Sequence, residues 1–389
     1  MNRPIVDAFF ALLRGYATGT GRVTEEQKNT ARENLAPLYS LAVRHDLAHL
    51  VGHALFEEGV TDDSEAARAF EKQQMLAIFR YEGFAFEIGQ VEAALEAAEI
   101  PFVILKGSVL RGLYPEPWMR TSCDVDVLVR PEDHAAAEAC LTERLGYRRE
   151  GEGDHDVTLV SEGGVHVELH FALVEERRAG GSFELLCRVW DYAVPREGFR
   201  FNCALADEFF YFYHVAHMAK HFAGGGCGVR SFLDLWFLEQ MTHDETARDA
   251  LLAEGGLLPF AAEARRLCRL WFSGEETTDA PDDVARFVLF GGVYGSKDNY
   301  VAIQQKKRGG RVGYILARMF LPYREMRYLY PILQKCPVLL PVFWVWRWID
   351  HLVHGGAKRS LRELERNRTL TTEERDATAS MLTRLGLSE

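Results

Sequence analysis

Asp124 and Asp126 stand two residues apart in the run CDVDVLV (123–129), and Glu168 stands in VHVELHF (165–171). Residues two apart on a strand point to one face, so the two aspartates project together while Val125 and Val127 face a core. Their backbone separation is about 6–7 Å. Carboxylates converging at that spacing can share divalent cations, which two-metal phosphoryl-transfer sites hold about 3.5–4 Å apart. For DxD alone, a solvated strand edge with two ordinary acids is the alternative. The second run adds weight, because Val165, Val167 and Leu169 alternate with His166, Glu168 and His170 and leave Glu168 on the polar face. Neighbouring strands lie about 4.8 Å apart, so pairing of these two would gather three carboxylates at one point. Gathered there, they repel one another unless a metal or a substrate compensates.

Lys106-Gly107-Ser108 follows the apolar run PFVIL (101–105) and precedes VLRGLY, which reads as the start of a helix. Glycine permits close backbone approach, and N–H groups at a helix start, with a serine hydroxyl, suit phosphate oxygens. Alternatively, Gly107 makes only a tight turn. Lys106 and Arg120 flank these elements and could neutralise a triphosphate or pair with nearby acids.

The elements that must position these residues are readable in outline. From Ile5 to about Ala98 the periodicity is helical, clearest in Ile88, Val91, Leu95 and Ala98. The texture then changes to four β-rich runs, 101–105, 123–129, 156–161 and 165–171, bounded by Gly, Pro or Asp. Between the second and third, Pro131 to Leu145 reads as a helix with Pro at its first turn and Gly146 after its end. Glu162-Gly163-Gly164 reads as a hairpin loop. Beyond about Leu205 helical periodicity returns. The expected fold class is α+β: a small mixed-sheet core (100–200) between an N-terminal helical region (1–99) and a C-terminal helical region (201–389).

Strand, Gly-Ser, helix, DxD strand and a later strand with a third acid form an ordered set that resembles the DNA polymerase β-like nucleotidyltransferase superfamily. The phrasing LKGSVLRGLYPEPWMRTSCDVDVLV, then LGY and VHVELHF, is similar in particular to a large bacterial group of uncharacterised nucleotidyltransferase-like proteins. The similarity is best over 102–173 and weaker from HVAHMAKHF to Asp234. The resemblance implies that Gly107 and Ser108 bind nucleotide phosphates, that Asp124 and Asp126 hold Mg2+ (or Mn2+), and that Glu168 completes the metal site or activates an acceptor hydroxyl. It implies transfer of a nucleoside monophosphate from ATP or another nucleoside triphosphate, with release of pyrophosphate. The acceptor, a small molecule, a peptide or an RNA, is not readable. Two departures stand out: the 15 residues between Ser108 and Asp124 exceed the usual spacing, and the third acid is Glu where Asp is frequent. The alternatives are a catalytically inactive nucleotide-sensing or scaffold protein, and a phosphotransferase or toxin-like enzyme on the same fold.

His214, His217 and His221 fall on one helix face and could wall the open side of the metal site, with His217, His221 and Arg230 lining an acceptor pocket. Surface or hydrogen-bonded core histidines are the plainer reading, and a zinc site would need a further ligand. Arg230 and Asp234 could be a helix pair. Lys306-Lys307-Arg308 with Arg311 is a basic patch that Gly309-Gly310 would make mobile, a solvated loop by default and otherwise a contact for an anionic acceptor. Trp344, Trp346 and Trp348 with Phe343 are expected in the core, a partner surface or an interfacial membrane contact being the alternatives.

Composition sets the bounds. A chain of 389 residues, 48% hydrophobic, can bury a sizeable core. Net charge −12 argues against general affinity for nucleic acid. The N-terminus has no secretory h-region, and the apolar run Val338 to Trp346 is too short for a transmembrane helix. Seven widely spaced cysteines without a CxxC pair fit reduced thiols and a cytoplasmic protein.

Overall fold

The computed structural model describes residues 2–174, 180–241, 244–274, 282–293, 295–353 and 368–387. Helices α1–α4 (Arg3–Leu13, Glu25–Glu33, Leu35–Arg44, Ala48–Glu57) lead into α5 (Glu65–Ala97). Ser64 caps α5 by accepting from the Ala67 amide, and its later half buries Phe84, Val91 and Leu95. Seven strands follow, β1 (Phe102–Ile104), β2 (Asp124–Val129), β3 (Arg148–Glu152), β4 (Asp156–Val160), β5 (His166–His170), β6 (Ala193–Pro195) and β7 (Asn202–Leu205). The short α6 (Gly107–Leu110) sits between β1 and β2, α7 (His134–Leu145) follows β2, and α8 (Phe183–Cys187) precedes β6. After the sheet come α9 (Asp207–Ala223), α10 (Val229–Glu239), α11 (Glu245–Glu254) and α12 (Leu258–Phe272). Among the described residues, helices α13–α19 follow (Asp283–Gly291, Lys297–Lys307, Arg311–Met319, Tyr323–Leu329, Ile332–Lys335, Leu340–Val353, Thr372–Arg384).

The strands form one mixed sheet in the order β3-β4-β5-β2-β1-β7-β6. All four strands expected from alternation are present. The three not foreseen lie toward the sheet's two ends, where β3 (RREGE) is mostly exposed and β6 ends on a proline, so neither carries an apolar period. The sheet separates two cores. On one face Val125, Val127, Val129, Val167 and Leu169 pack with Val91 and Leu95 of α5 and Leu141 of α7. On the other, Val103 and Leu128 join a cluster running from Ile5 to Leu387. The three stretches of the chain thus share that second core. All seven cysteines are free.

Two expectations are corrected in the C-terminal helices. The basic run is largely helical, because Lys306 and Lys307 end α14, Arg311 begins α15, and Gly309 and Gly310 supply the positive φ (74° and 104°) of a tight turn. The tryptophan segment is only partly core: Trp344 and Trp348 pack on Phe320, whereas Trp346 is 58% exposed.

Candidate active site

β2 and β5 pair in parallel with Asp124 opposite His166, Asp126 opposite Glu168 and Leu128 opposite His170. Alternation therefore sets Asp124, Asp126, Glu168 and His170 on one face, while the intervening valines and Leu169 fill the α5–α7 core. Asp126 is the buried centre of the group. Its Oδ1 accepts from Lys106 Nζ at 3.1 Å and from His170 Nε2 at 2.9 Å. His170 Nε2 also lies 3.4 Å from Glu168 Oε2.

Burial by itself would raise the Asp126 pKa, yet Lys106 and His170 hold this carboxyl well below the usual range. Glu168 is lowered first by its hydrogen bond from His170. Burial opposes protonation of His170, but Asp126 and Glu168 outweigh it and its pKa lies above the ordinary imidazole value. Asp124 behaves in the opposite way. Burial, then repulsion by Asp126 and Glu168, pushes it up to about 6.

The sign of the Asp124 shift gives a prediction. A carboxyl whose folded pKa exceeds its unfolded value of 3.8 disfavours the folded state once ionised, fully above about 6 and not at all below 3.8. Asp124→Asn is therefore expected to raise the melting temperature of the metal-free protein above pH 6, with the gain vanishing as pH falls toward 3.8. Melts of both proteins in chelator across that window check it. A lower melting temperature for the variant at pH 8 would refute the repulsion.

The turn after β1 supports the group from below. Lys106 adopts φ 43°, a conformation rare outside glycine that costs about 1–3 kcal/mol. A Cβ at Gly107 would meet Ser122 Cβ at 3.1 Å, so a larger residue there requires Ser122 to give by a few tenths of an ångström. Ser108 Oγ is buried and has no hydrogen-bond partner among the described residues. The helix that follows is a single turn continued by a 3-10 turn, shorter than VLRGLY suggested. The segment before β2 is fastened from every side. Arg111 donates to Ser122 Oγ at 2.7 Å, His49 Nε2 meets the Met119 carbonyl at 2.8 Å, and Thr121 Oγ1 donates to Asp46 at 3.0 Å.

Arg120, read as a phosphate contact or as the partner of a nearby acid, is buried with its Nε donating to Asp234 Oδ1 at 2.7 Å, and Tyr114 donates to the same oxygen at 2.8 Å. Asp234 so takes its hydrogen bonds from the sheet side rather than from Arg230 one turn earlier. Arg230 pairs with Asp46 in the turn between α3 and α4. Distance in space, not helix spacing, selects these partners.

Helix α9 faces the group. The Tyr213 hydroxyl is buried beside the Lys106 ammonium, and its pKa is pushed up to about 12 mainly by burial. Burial, then Lys106, depresses His217 well below the usual histidine range. His217 and His221 meet Nε2 to Nε2 at 3.2 Å, while His214 Nε2 bonds to the Ser231 carbonyl at 3.0 Å. These contacts divide the three histidines between two sites.

Asp126, Glu168 and His170 offer ligand atoms within 4.8 Å of one another, as do His155, Asp156 and His170. Sequence reasoning passed over His170, His155 and Asp156. The available signal was that His170 shares the polar face of VHVELHF and that Asp156 opens the next strand, where it pairs with His170. Oxygen donors predominate around Asp126, and burial together with two like charges raises the Asp124 pKa. That chemistry suits a hard divalent cation.

The description "uncharacterised nucleotidyltransferase" belongs to the family model that matches residues 32–273, which take in the sheet, the acidic group and α9–α12. Curated proteins give no match. With well over half of the chain matched, and the strand, Gly-Ser turn and paired acids in one fold, the chain belongs to this family of uncharacterised nucleotidyltransferases.

Proposed function

We propose that the chain transfers a nucleoside monophosphate from a nucleoside triphosphate to an acceptor hydroxyl, releasing pyrophosphate, with Asp124, Asp126 and Glu168 as ligands of Mg2+ or Mn2+. One observation carries the reading: Asp126 and Glu168 are register partners on adjacent parallel strands, with Asp124 one step along the same face. A divalent cation bound there supplies charge neutralisation for the triphosphate and for the developing pyrophosphate. The chain's own groups do the rest. Ser108 Oγ and the backbone around Gly107 orient phosphate oxygens, and Lys106 swings between Asp126 and the phosphates. Glu168, kept ionised by His170, accepts the proton of the attacking hydroxyl as the new phosphorus–oxygen bond forms and the bond to pyrophosphate breaks. His217 and His221 wall the acceptor side.

The test uses purified protein, Mg2+ and triphosphates labelled at the α-phosphorus, with a cell extract as acceptor source. Label appearing in an acceptor together with equimolar pyrophosphate supports transfer. Lys106 and His170 already neutralise Asp126, an arrangement that also suits a protein binding nucleotide without turnover. Tight triphosphate binding with no labelled acceptor and no pyrophosphate would favour that second reading.

His217→Ala is expected to raise the acceptor KM about tenfold, the worth of one lost hydrogen bond, with triphosphate affinity unchanged. Titration of the triphosphate and acceptor kinetics measure the two separately. Unchanged acceptor kinetics would move the pocket elsewhere.

A further inference from the structure

Residues 283–387 lie beyond the matched family region, and part of their surface is apolar and exposed. On α15, Val312, Leu316 and Met319 fall at i, i+4 and i+7, and all three are exposed. On α18, Val342, Val345, Trp346 and Ile349 fall at i, i+3, i+4 and i+7, each about half exposed or more. The two helices lie together, since the Phe320 ring just after α15 meets Trp344 and Trp348 edge-on at 5.2 and 5.3 Å, and Trp348 Nε1 donates to the Met319 carbonyl at 2.9 Å. An amphipathic helix of a water-soluble fold turns its apolar stripe inward. Here the inner face of α18 is already filled by tryptophan packing, and a second apolar stripe points outward.

Charge says what the outward stripes meet. From Lys306 to Asp350 there are nine Lys and Arg against two acids, a net of +7 in a chain of −12, so the remainder carries −19. Lys306, Lys307, Arg308 and Arg311 cluster at the α14–α15 turn, directly before Val312. We propose that α15 and α18 form a surface that binds anionic phospholipid, lying in the plane of the bilayer interface with Trp346 and its neighbours among the acyl chains. Aliphatic stripes, an outward tryptophan and a basic margin are the chemistry of an interfacial anchor. At 14 residues α18 is about 21 Å long, short of the roughly 30 Å hydrocarbon core, and no helix among the described residues is long and apolar enough to cross a membrane. A second copy of the chain fits less well, because its +7 face would meet the same charge. Nucleic acid would match the charge but has no use for stripes of valine, leucine and isoleucine. The acidic remainder is repelled by an anionic leaflet, which orients the basic face toward it.

The experiment uses the full chain and sedimentation with vesicles of phosphatidylcholine alone or of equal parts phosphatidylcholine and phosphatidylglycerol. Binding is expected to be at least about tenfold stronger to the anionic vesicles and to weaken with salt. The Val342→Asp/Trp346→Asp double variant should lose about tenfold or more of it while keeping the wild-type circular dichroism spectrum. For the unmodified protein, brominated phosphatidylglycerol should quench tryptophan fluorescence, a readout that stands even if the variant fails to fold. Absence of vesicle binding, or equal binding to neutral vesicles, would overturn the proposal. So would a dimer that Trp346→Asp dissolves, or tight binding of RNA by a protein that ignores both vesicles.

Discussion

Asp126→Asn is expected to reduce nucleotidyl transfer by about 10³-fold or more, because it removes a charged ligand from the centre of the acidic group at nearly constant volume. It is also expected to cost stability. Lys106 Nζ and His170 Nε2 both converge on Asp126 Oδ1, and a neutral amide leaves these cations without their counter-charge in a largely buried place. Lys106 keeps a quarter of its side-chain surface, so water offsets part of the loss and about 1–3 kcal/mol remains. The two neighbouring aspartates therefore respond with opposite signs: Asp124→Asn stabilises the metal-free protein at pH 8, and Asp126→Asn destabilises it. Both variants lose turnover. Thermal melts in chelator and an α-labelled triphosphate assay read the two effects independently. A fully active Asp126→Asn protein would sink the catalytic reading, whereas an inactive one with unchanged melting would sink only the account of the Lys106–His170 pairing.

Asp234→Ala is expected to cost about 3–5 kcal/mol. Arg120 and Asp234 are 9% and 2% exposed at their side chains, and Tyr114 donates to the same carboxylate oxygen. Removing the acid strands a guanidinium and a phenol in the core. The pair also ties α10 to the segment that leads into β2, so the variant should bind triphosphate more weakly when assayed below its melting temperature. Urea unfolding measures the stability loss. Replacing both partners, as Arg120→Met with Asp234→Leu, should recover much of it, because the penalty arises from the unpaired charge rather than from the missing contact. A single variant as stable as the double would remove that explanation.

Much of the sheet and of its chemistry was legible along the chain. Val125 and Val127 alternate with Asp124 and Asp126, Val167 and Leu169 alternate with Glu168, and this period of two is a local property of a strand. The helix from Pro131 to Gly146 was punctuated at both ends, and Gly146 does adopt the left-handed φ of 69° that stops it. End strands escaped notice because β3 is charged and exposed, so no buried face imprints itself on its sequence.

What the sequence by itself determined is which side chains share a face: the two aspartates with one another, Glu168 with His170, and the three histidines of α9. Tertiary structure alone decided which faces meet. It set β5 in parallel beside β2 so that Glu168 falls opposite Asp126, and it brought His170 onto the same carboxylate oxygen as Lys106. It also gave Arg120 to Asp234 and Arg230 to Asp46, and turned one side of α18 outward. The physical reason is one of range. Strand and helix periods are imposed by backbone geometry within a few residues, whereas an ion pair forms with whatever charge the folded chain brings within a few ångströms, regardless of separation in sequence. Lys106 and Asp126 are 20 residues apart and Arg120 and Asp234 are 114, and no local pattern records either distance.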